Sequence, residues 1–262
     1  MSEARSGGTG LKLAVAGKGG VGKTTLVALL AREAAARGVK VLAVDADPDA
    51  NLAATLGIQD PVVPLAEDEE LIAERSGREG FVRLNPSVDD IPERYWVEAE
   101  GVRLLVLGGI RRGGGGCACP ANALLRALLA HLVLRRDELV VVDMEAGIEH
   151  LGRGTAQGVD ALLVVVEPDR RSLDTAARTL RLAGEVGLVR VLAVANKVRG
   201  PRDVGFIRAG LPEGLPLLAA IPFREELWLL GEGPLPPPPR EIQALFSRLL
   251  ELFPKPAQGA PP

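Results

Sequence analysis

A chain of 262 residues with 47% apolar and 25% charged residues has the composition of a folded globular protein, which excludes a disordered or fibrous chain. Lysine and arginine number 31 against 34 aspartates and glutamates, so the net charge of -3 provides no global basic field to recruit nucleic acid. Apolar runs are far shorter than the roughly 18 to 20 residues of a membrane span, and the N-terminus lacks a signal-peptide core. These features predict a cytoplasmic protein that binds neither nucleic acid nor membranes.

Short apolar runs alternate with helical patterns along most of the chain. Runs of this kind, ending in glycine or acidic residues, are typical of strands buried on both faces of a sheet. The predicted strands cover residues 11–17, 39–47, 102–108, 139–144, 161–167, 189–195 and 216–221. Repeated strand–helix units predict an α/β fold with a mostly parallel sheet of about seven to eight strands and helices on both faces.

The sequence predicts a single domain over residues 1–262. An acidic run and scattered prolines interrupt the rhythm at residues 60–100, which we interpret as an insertion within that domain. The last helix, near 240–253, has one apolar stripe, and we expect this stripe to dock onto the sheet. Residues 1–10 and 255–262 are expected to be flexible tails.

The segment GKGGVGKTT at residues 17–25 matches the G-x-x-x-x-G-K-[ST] pattern between a predicted strand and helix. Backbone amides of such a loop and the positive end of the helix surround phosphate oxygens. Lys23 is expected to reach the β and γ phosphates, and Thr24 to ligate Mg²⁺. The residues expected to bind ATP here are Gly17, Lys18, Gly19, Gly20, Val21, Gly22, Lys23, Thr24 and Thr25.

Lys18 follows the first glycine directly, and in this respect the loop resembles the deviant Walker A ATPases, a family that includes MinD, ParA, ArsA and the nitrogenase iron protein. The resemblance implies a P-loop NTPase fold and hydrolysis of ATP to ADP and phosphate. It also implies a homodimer with the nucleotide between two subunits, where Lys18 crosses the interface to touch the partner's nucleotide.

Acidic side chains follow two of the predicted strands, at the sheet edge where ligands bind in open α/β folds. In DADPDANL at residues 45–52, the resemblance assigns positioning of the attacking water to Asp47. Asp143 ends the strand in ELVVVDMEAGIEH, a Walker B arrangement that predicts a water-mediated contact to Mg²⁺. By resemblance, Ala146 and Gly147 belong to the switch that senses the γ phosphate.

Two further segments follow late strands. ANKV at residues 195–198 and IPFREEL at 221–227 are, by the same resemblance, the segments that hold the adenine. The residues expected to contact the base are Asn196, Lys197, Pro222 and Phe223. Arg224 stands where other members of the family often carry aspartate.

Cys117 and Cys119 lie between four glycines and Pro120, a proline suited to the first turn of a helix. A helix N-terminus lowers the pKa of a thiol and favours the thiolate that binds metal. One CxC motif supplies two ligands, so a two-fold dimer that joins two motifs would complete a four-thiolate site for nickel or zinc. A buried core pair, a redox pair and an intersubunit iron–sulfur cluster are the alternatives.

The combination of GGGGCACPANALLRALL, VVVDMEAGIEHLGRGT, VVVEPDRRSLDTA and LNPSVDDIPERY resembles CooC-type accessory ATPases over nearly the whole chain. That family matures nickel-containing carbon monoxide dehydrogenase, so the resemblance implies ATP-dependent delivery of Ni²⁺ to this client, with acetyl-CoA synthase as an alternative client. The other hypotheses are an iron–sulfur ATPase of the nitrogenase iron protein type and a MinD/ParA-like positioning ATPase.

Overall fold

The structure of the protein is a computed structural model. The structure describes residues 10–78, 81–108, 120–135, 138–145, 148, 153–228 and 235–254. The strands are β1 (Lys12–Ala16), β2 (Val41–Asp45), β3 (Gly77–Arg78), β4 (Phe81–Val82), β5 (Val97–Ala99), β6 (Val102–Val106), β7 (Leu139–Asp143), β8 (Ala161–Val166), β9 (Val191–Val198) and β10 (Leu217–Pro222).

A 3-10 helix (Leu65–Glu67) and ten α-helices accompany these strands in the described part of the chain. The helices are α1 (Lys23–Ala36), α2 (Leu52–Thr55), α3 (Glu69–Ser76), α4 (Ile91–Tyr95), α5 (Pro120–Arg135), α6 (Arg153–Ala156), α7 (Arg170–Val186), α8 (Pro201–Gly210), α9 (Glu225–Trp228) and α10 (Arg240–Leu252). Within the described ranges, none of them combines the length and apolar character needed to cross a bilayer.

Across the described residues, eight strands form one sheet in the order β10-β9-β8-β1-β7-β2-β6-β5. Every neighbouring pair is parallel except β5 and β6, which are antiparallel at the edge. The predicted α/β class is confirmed, and the predicted strands are present with ends shifted by a few residues. The edge strand β5 falls inside the predicted insertion, where the sequence analysis placed no strand.

Alternate side chains of each central strand enter two separate cores, one on each face of the sheet. On β1, Ala14 and Ala16 face the core covered by α5, α7 and the insertion, whereas Leu13 and Val15 face the core covered by α1 and α10. Because both faces are covered, the strands are almost wholly apolar. The predicted docking of the last helix agrees with α10, whose Ile242 and Phe246 are fully buried.

The insertion packs on α5 rather than standing apart. Leu65 and Leu71 join the same buried cluster as Leu124 and Leu128 of α5. The amide of Ala66 also donates a hydrogen bond to the carbonyl of Leu107, 3.0 Å away, just after β6 ends. The insertion therefore contacts the chain on both sides of residues 109–119. That residues 1–262 form one domain stays a prediction.

Candidate functional site

The loop between β1 and α1 makes two close backbone approaches that require glycine. A Cβ on Gly17, whose φ is +147°, would lie 2.5 Å from the carbonyl oxygen of Val165 on β8. A Cβ on Gly22, with φ of +95°, would lie 2.5 Å from Nδ2 of Asn196. Gly22 is the N-cap of α1, so the loop delivers the free amides and positive end of this helix to the edge of the sheet.

Asp143 ends β7 beside this loop and carries a buried carboxylate. Its side chain is inaccessible to solvent, and neither oxygen has a hydrogen-bond partner among the described residues. Burial raises the pKa of Asp143 to about 7, against the lowering effects of the neighbouring Thr24 hydroxyl and Lys23 ammonium. Because a buried polar group without a partner is costly, this carboxylate suits a cation that arrives with the ligand. Its oxygens and the Thr24 hydroxyl are the hard donors that a hydrated Mg²⁺ accepts.

Asp45 lies directly across from Asp143 in the pairing of β2 with β7, but its chemistry differs. One of its oxygens accepts the amide of Asp47 at 3.1 Å and the other accepts the amide of Leu52 at 2.9 Å. Asp45 therefore shapes the turn after β2, and each of its oxygens already has a hydrogen-bond partner. Asp47 is half-buried in that turn and accepts the amide of Asp49 at 3.0 Å.

The predicted base-binding residues converge on one pocket. Asn196, Lys197, Pro222 and Phe223 line it, together with Gly22, Thr25, Leu26, Leu29, Ile221, Arg224, Leu227 and Ile242. An apolar wall with a few convergent polar groups is typical of small-molecule sites. Asn196, which was predicted to follow a strand, lies within β9 in the structure. There its Nδ2 donates to the carbonyl oxygen of Val21 at 2.8 Å, which joins this pocket to the phosphate loop.

Other lysines and arginines near the pocket are held by neighbouring groups. Lys197 has a φ of +56° and donates to the carbonyl oxygen of Gly20. Lys18 contacts carboxylates of its own chain rather than pointing freely outward. Arg224 donates to Glu241 at 2.8 Å and to Glu226 at 3.3 Å, which secures the pocket wall against α10. None of these partners was anticipated from the sequence, because each is brought there by the fold.

Four predicted residues lie outside the described part of the chain: Cys117, Cys119, Ala146 and Gly147. Of the cysteine segment, the structure describes the two ends, where Gly108 packs against Pro64 and α5 begins at Pro120. Among the described residues, no group of three or more His, Cys, Asp or Glu side chains is arranged to hold a metal ion.

Comparison with known proteins places this geometry in a family. Residues 12–234 match the CobQ/CobB/MinD/ParA nucleotide-binding domain. The carbon monoxide dehydrogenase accessory protein CooC from Rhodospirillum rubrum is 43% identical, with 95% of this chain and 99% of that protein covered. An uncharacterized ATP-binding protein from Methanocaldococcus jannaschii is 42% identical over 83% of this chain and 87% of its own length.

Solved structures agree on the fold. A chain of the MinC:MinD cell division protein complex from Aquifex aeolicus superposes with a TM-score of 0.66 at 21% identity, covering 95% of this chain and 98% of that one. MinD with Mg-ADP from Pyrococcus horikoshii gives a TM-score of 0.63 at 21% identity, covering 92% and 94%. The chain belongs to the CobQ/CobB/MinD/ParA family of P-loop ATPases and is a homologue of CooC.

Proposed function

We propose that this protein is an ATP-dependent metallochaperone that binds nickel at a cysteine site between two subunits and supports its insertion into the active-site cluster of carbon monoxide dehydrogenase. The observation that carries the ATP-dependent part is the buried carboxylate of Asp143 beside the phosphate loop, whose oxygens have no hydrogen-bond partner among the described residues. The client is proposed from the relationship to CooC, which extends over 95% of the chain. We expect the protein to act in the cytoplasm, where thiols stay reduced and available to metal.

In the proposed ATP site, amides of the loop at residues 17–25 bind the phosphates and Lys23 reaches the β and γ groups. Thr24 and Asp143 are the residues that would hold Mg²⁺, Thr24 through its hydroxyl and Asp143 through water. When bound, Mg²⁺ neutralises charge that develops on the phosphates. Asp47 orients the attacking water, and Ala146 and Gly147 report the γ phosphate. This division of roles suits phosphoryl transfer, which needs positioning and charge neutralisation more than covalent chemistry.

The proposed base site predicts a measurable effect of Asn196→Ala. The substitution removes the hydrogen bond to Val21 and the side-chain carbonyl offered to the adenine. Loss of one or two such bonds should weaken ATP binding by about fivefold to tenfold. Titration with a fluorescent ATP analogue measures this change, and Gln59→Ala, which removes an exposed amide elsewhere, is the control. An affinity within twofold of the wild type would contradict the assignment of Asn196.

The proposed metal site consists of Cys117 and Cys119 from each of two subunits. We expect anaerobic nickel binding at about half an ion per subunit, tied to dimerisation, because four thiolates complete one site. Cys117→Ala/Cys119→Ala should remove this binding while ATP binding persists. The test measures the nickel content and the mass in solution of both proteins, each with and without ATP. Zinc competes for the same thiolates, so a zinc-loaded preparation agrees with the proposal.

The client is tested separately, by activation of metal-free carbon monoxide dehydrogenase and of acetyl-CoA synthase with nickel, ATP and this protein. Activation of the first that requires both cysteines supports the proposal. If Cys117→Ala/Cys119→Ala still binds nickel, the proposed metallochaperone mechanism is wrong. Visible absorption after anaerobic purification would favour an iron–sulfur ATPase, and ATP-dependent retention on liposomes or DNA would favour a positioning ATPase.

A further inference from the structure

The ammonium group of Lys18 is held by two carboxylates of its own subunit. Its Nζ lies 3.2 Å from Oε1 of Glu167 and 3.2 Å from Oδ2 of Asp169. These acids lie where β8 ends and α7 begins, far from Lys18 in sequence but beside the phosphate loop in the fold. The hydrogen bonds that Lys18 donates to Glu167 and Asp169 raise the pKa of Lys18, so its ammonium charge is retained in this arrangement.

Both carboxylates are positioned independently of Lys18. Asp169 is the N-cap of α7 and accepts the amides of Arg171 at 2.8 Å and Ser172 at 3.2 Å. The amide of Glu167 donates to the Ser172 hydroxyl at 3.0 Å, and its carboxylate lies 3.4 Å from the ammonium of Lys197. The acidic pair is therefore a preformed receptor for a cation, rather than two mobile side chains that follow Lys18.

We propose that Glu167 and Asp169 are positioning residues that retain Lys18 within its own subunit until a nucleotide-bound dimer forms. This inference rests on the proposed function, in which Lys18 crosses to the partner's nucleotide. Lys18 cannot contact both the acidic pair of its own subunit and phosphates in the partner. The dimer that hydrolyses ATP therefore forms only after each subunit has released this contact.

Release leaves neither carboxylate without a partner. Glu167 keeps its contact with Lys197, and Asp169 keeps the amides at the start of α7. The ammonium exchanges two carboxylates for phosphate oxygens, so the exchange is more favourable for a triphosphate, which carries more negative charge, than for a diphosphate. Release of Lys18 from the acidic pair costs free energy, and binding to ATP offsets this cost better than binding to ADP.

The test is the dependence of ATPase activity on protein concentration. Glu167→Gln/Asp169→Asn removes both charges, while asparagine still caps a helix and glutamine keeps the shape of the glutamate. Exposed ion pairs are weak individually, but both subunits must release Lys18, so we expect the concentration for half-maximal activity to fall by about fivefold to tenfold. The ATP-bound dimer should appear at correspondingly lower concentration in sedimentation experiments.

Two controls separate this inference from the function on which it rests. Asp174→Asn/Glu185→Gln removes the same number of charges from exposed positions on α7 and should behave as the wild type. In a Lys18→Ala background, the Glu167→Gln/Asp169→Asn pair should have no further effect on dimerisation. Unchanged concentration dependence, while Lys18→Ala alone still abolishes dimer-linked hydrolysis, overturns the retention of Lys18 only. Dimer-linked hydrolysis that persists in Lys18→Ala overturns the proposed role of Lys18 in the partner site.

Discussion

Asp143→Asn is expected to make the nucleotide-free protein more stable while it impairs hydrolysis. The wild-type carboxylate is fully buried without a hydrogen-bond partner in the described part of the chain, so its ionisation in the free protein is unfavourable. Replacing it with a neutral amide of the same shape should raise the free energy of unfolding by about 2 to 4 kcal/mol at pH 8. If Asp143 holds the water shell of Mg²⁺ as proposed, loss of this contact should lower ATPase activity by about 10- to 100-fold.

The same prediction has a defined pH dependence. Burial raises the pKa of Asp143 to about 7 from its ordinary value of 3.8. Between these values the native protein binds more protons than the unfolded chain, so this group lowers the free energy of unfolding as pH rises from about 4 to about 7. Burial also raises the pKa of Asp45, to about 6, which acts in the same direction over the lower part of the window. In Asp143→Asn the free energy of unfolding should therefore decrease less as pH rises, and this decrease should end near pH 6.

Asp45→Asn is the matched control, because Asp45 is equally buried and is its neighbour in register. Its oxygens accept two backbone amides, and an asparagine would place its own donor opposite one of them. We expect this variant to gain less stability at pH 8 than Asp143→Asn does, because the lost backbone hydrogen bond opposes the relief of burying the Asp45 charge. Chemical denaturation at pH 5 and pH 8, without nucleotide, measures both variants. An Asp143→Asn protein less stable than the wild type at pH 8 would falsify the account of the buried carboxylate.

Gly17→Ala is expected to prevent the phosphate loop from forming as it does here. The added Cβ would lie 2.5 Å from the backbone oxygen of Val165, and neither β1 nor β8 can move aside because both are central strands. The positive φ adds backbone strain. A loss of about 3 kcal/mol or more should lower the thermal midpoint by roughly 6 to 12 °C, with loss of ATP binding.

Gly19→Ala provides the comparison within the same loop. A Cβ on Gly19 meets no atom within 4 Å, and its φ lies outside the left-handed region. Its thermal midpoint should stay within about 1 °C of the wild type, as for other substitutions that remove no contact. Equal stability of the two alanine variants in calorimetry would show that the close approach of Gly17 to β8 is not maintained in solution.

The phosphate loop and the central strands could be predicted from sequence because both are local patterns. Glycines between an apolar run and an amphipathic helix specify one turn, and a run such as ALLVVV has few alternatives to a buried strand. The acid at the end of β7 could be placed for the same reason, since carboxyl ends of parallel strands share one edge. Asp45 accepts two backbone amides, whereas Asp143 accepts none among the described residues. This difference depends on which amides the following turn presents, and no sequence pattern predicts it.

Long-range pairs account for what the sequence could not predict. Asn196 is 175 positions from Val21, and Glu167 is 149 positions from Lys18, yet each pair is in hydrogen-bond contact. No local pattern distinguishes Glu167 and Asp169 from ordinary residues at the start of a helix, and only the fold brings the phosphate loop beside them. The edge strand β5 was missed because three residues in a proline-interrupted segment carry too short a pattern.

The order of the strands has a consequence for synthesis on the ribosome. β1 leaves the exit tunnel first, but its partners in the sheet are β7 and β8. Lys12 of β1 bonds to the backbone of Glu138, 126 positions later, so at about 5 to 20 residues per second β1 waits roughly 6 to 25 s for a neighbour. During that interval an apolar strand and the nascent phosphate loop are exposed to other chains. Chaperones that shield emerging segments should therefore raise the yield of this protein during synthesis.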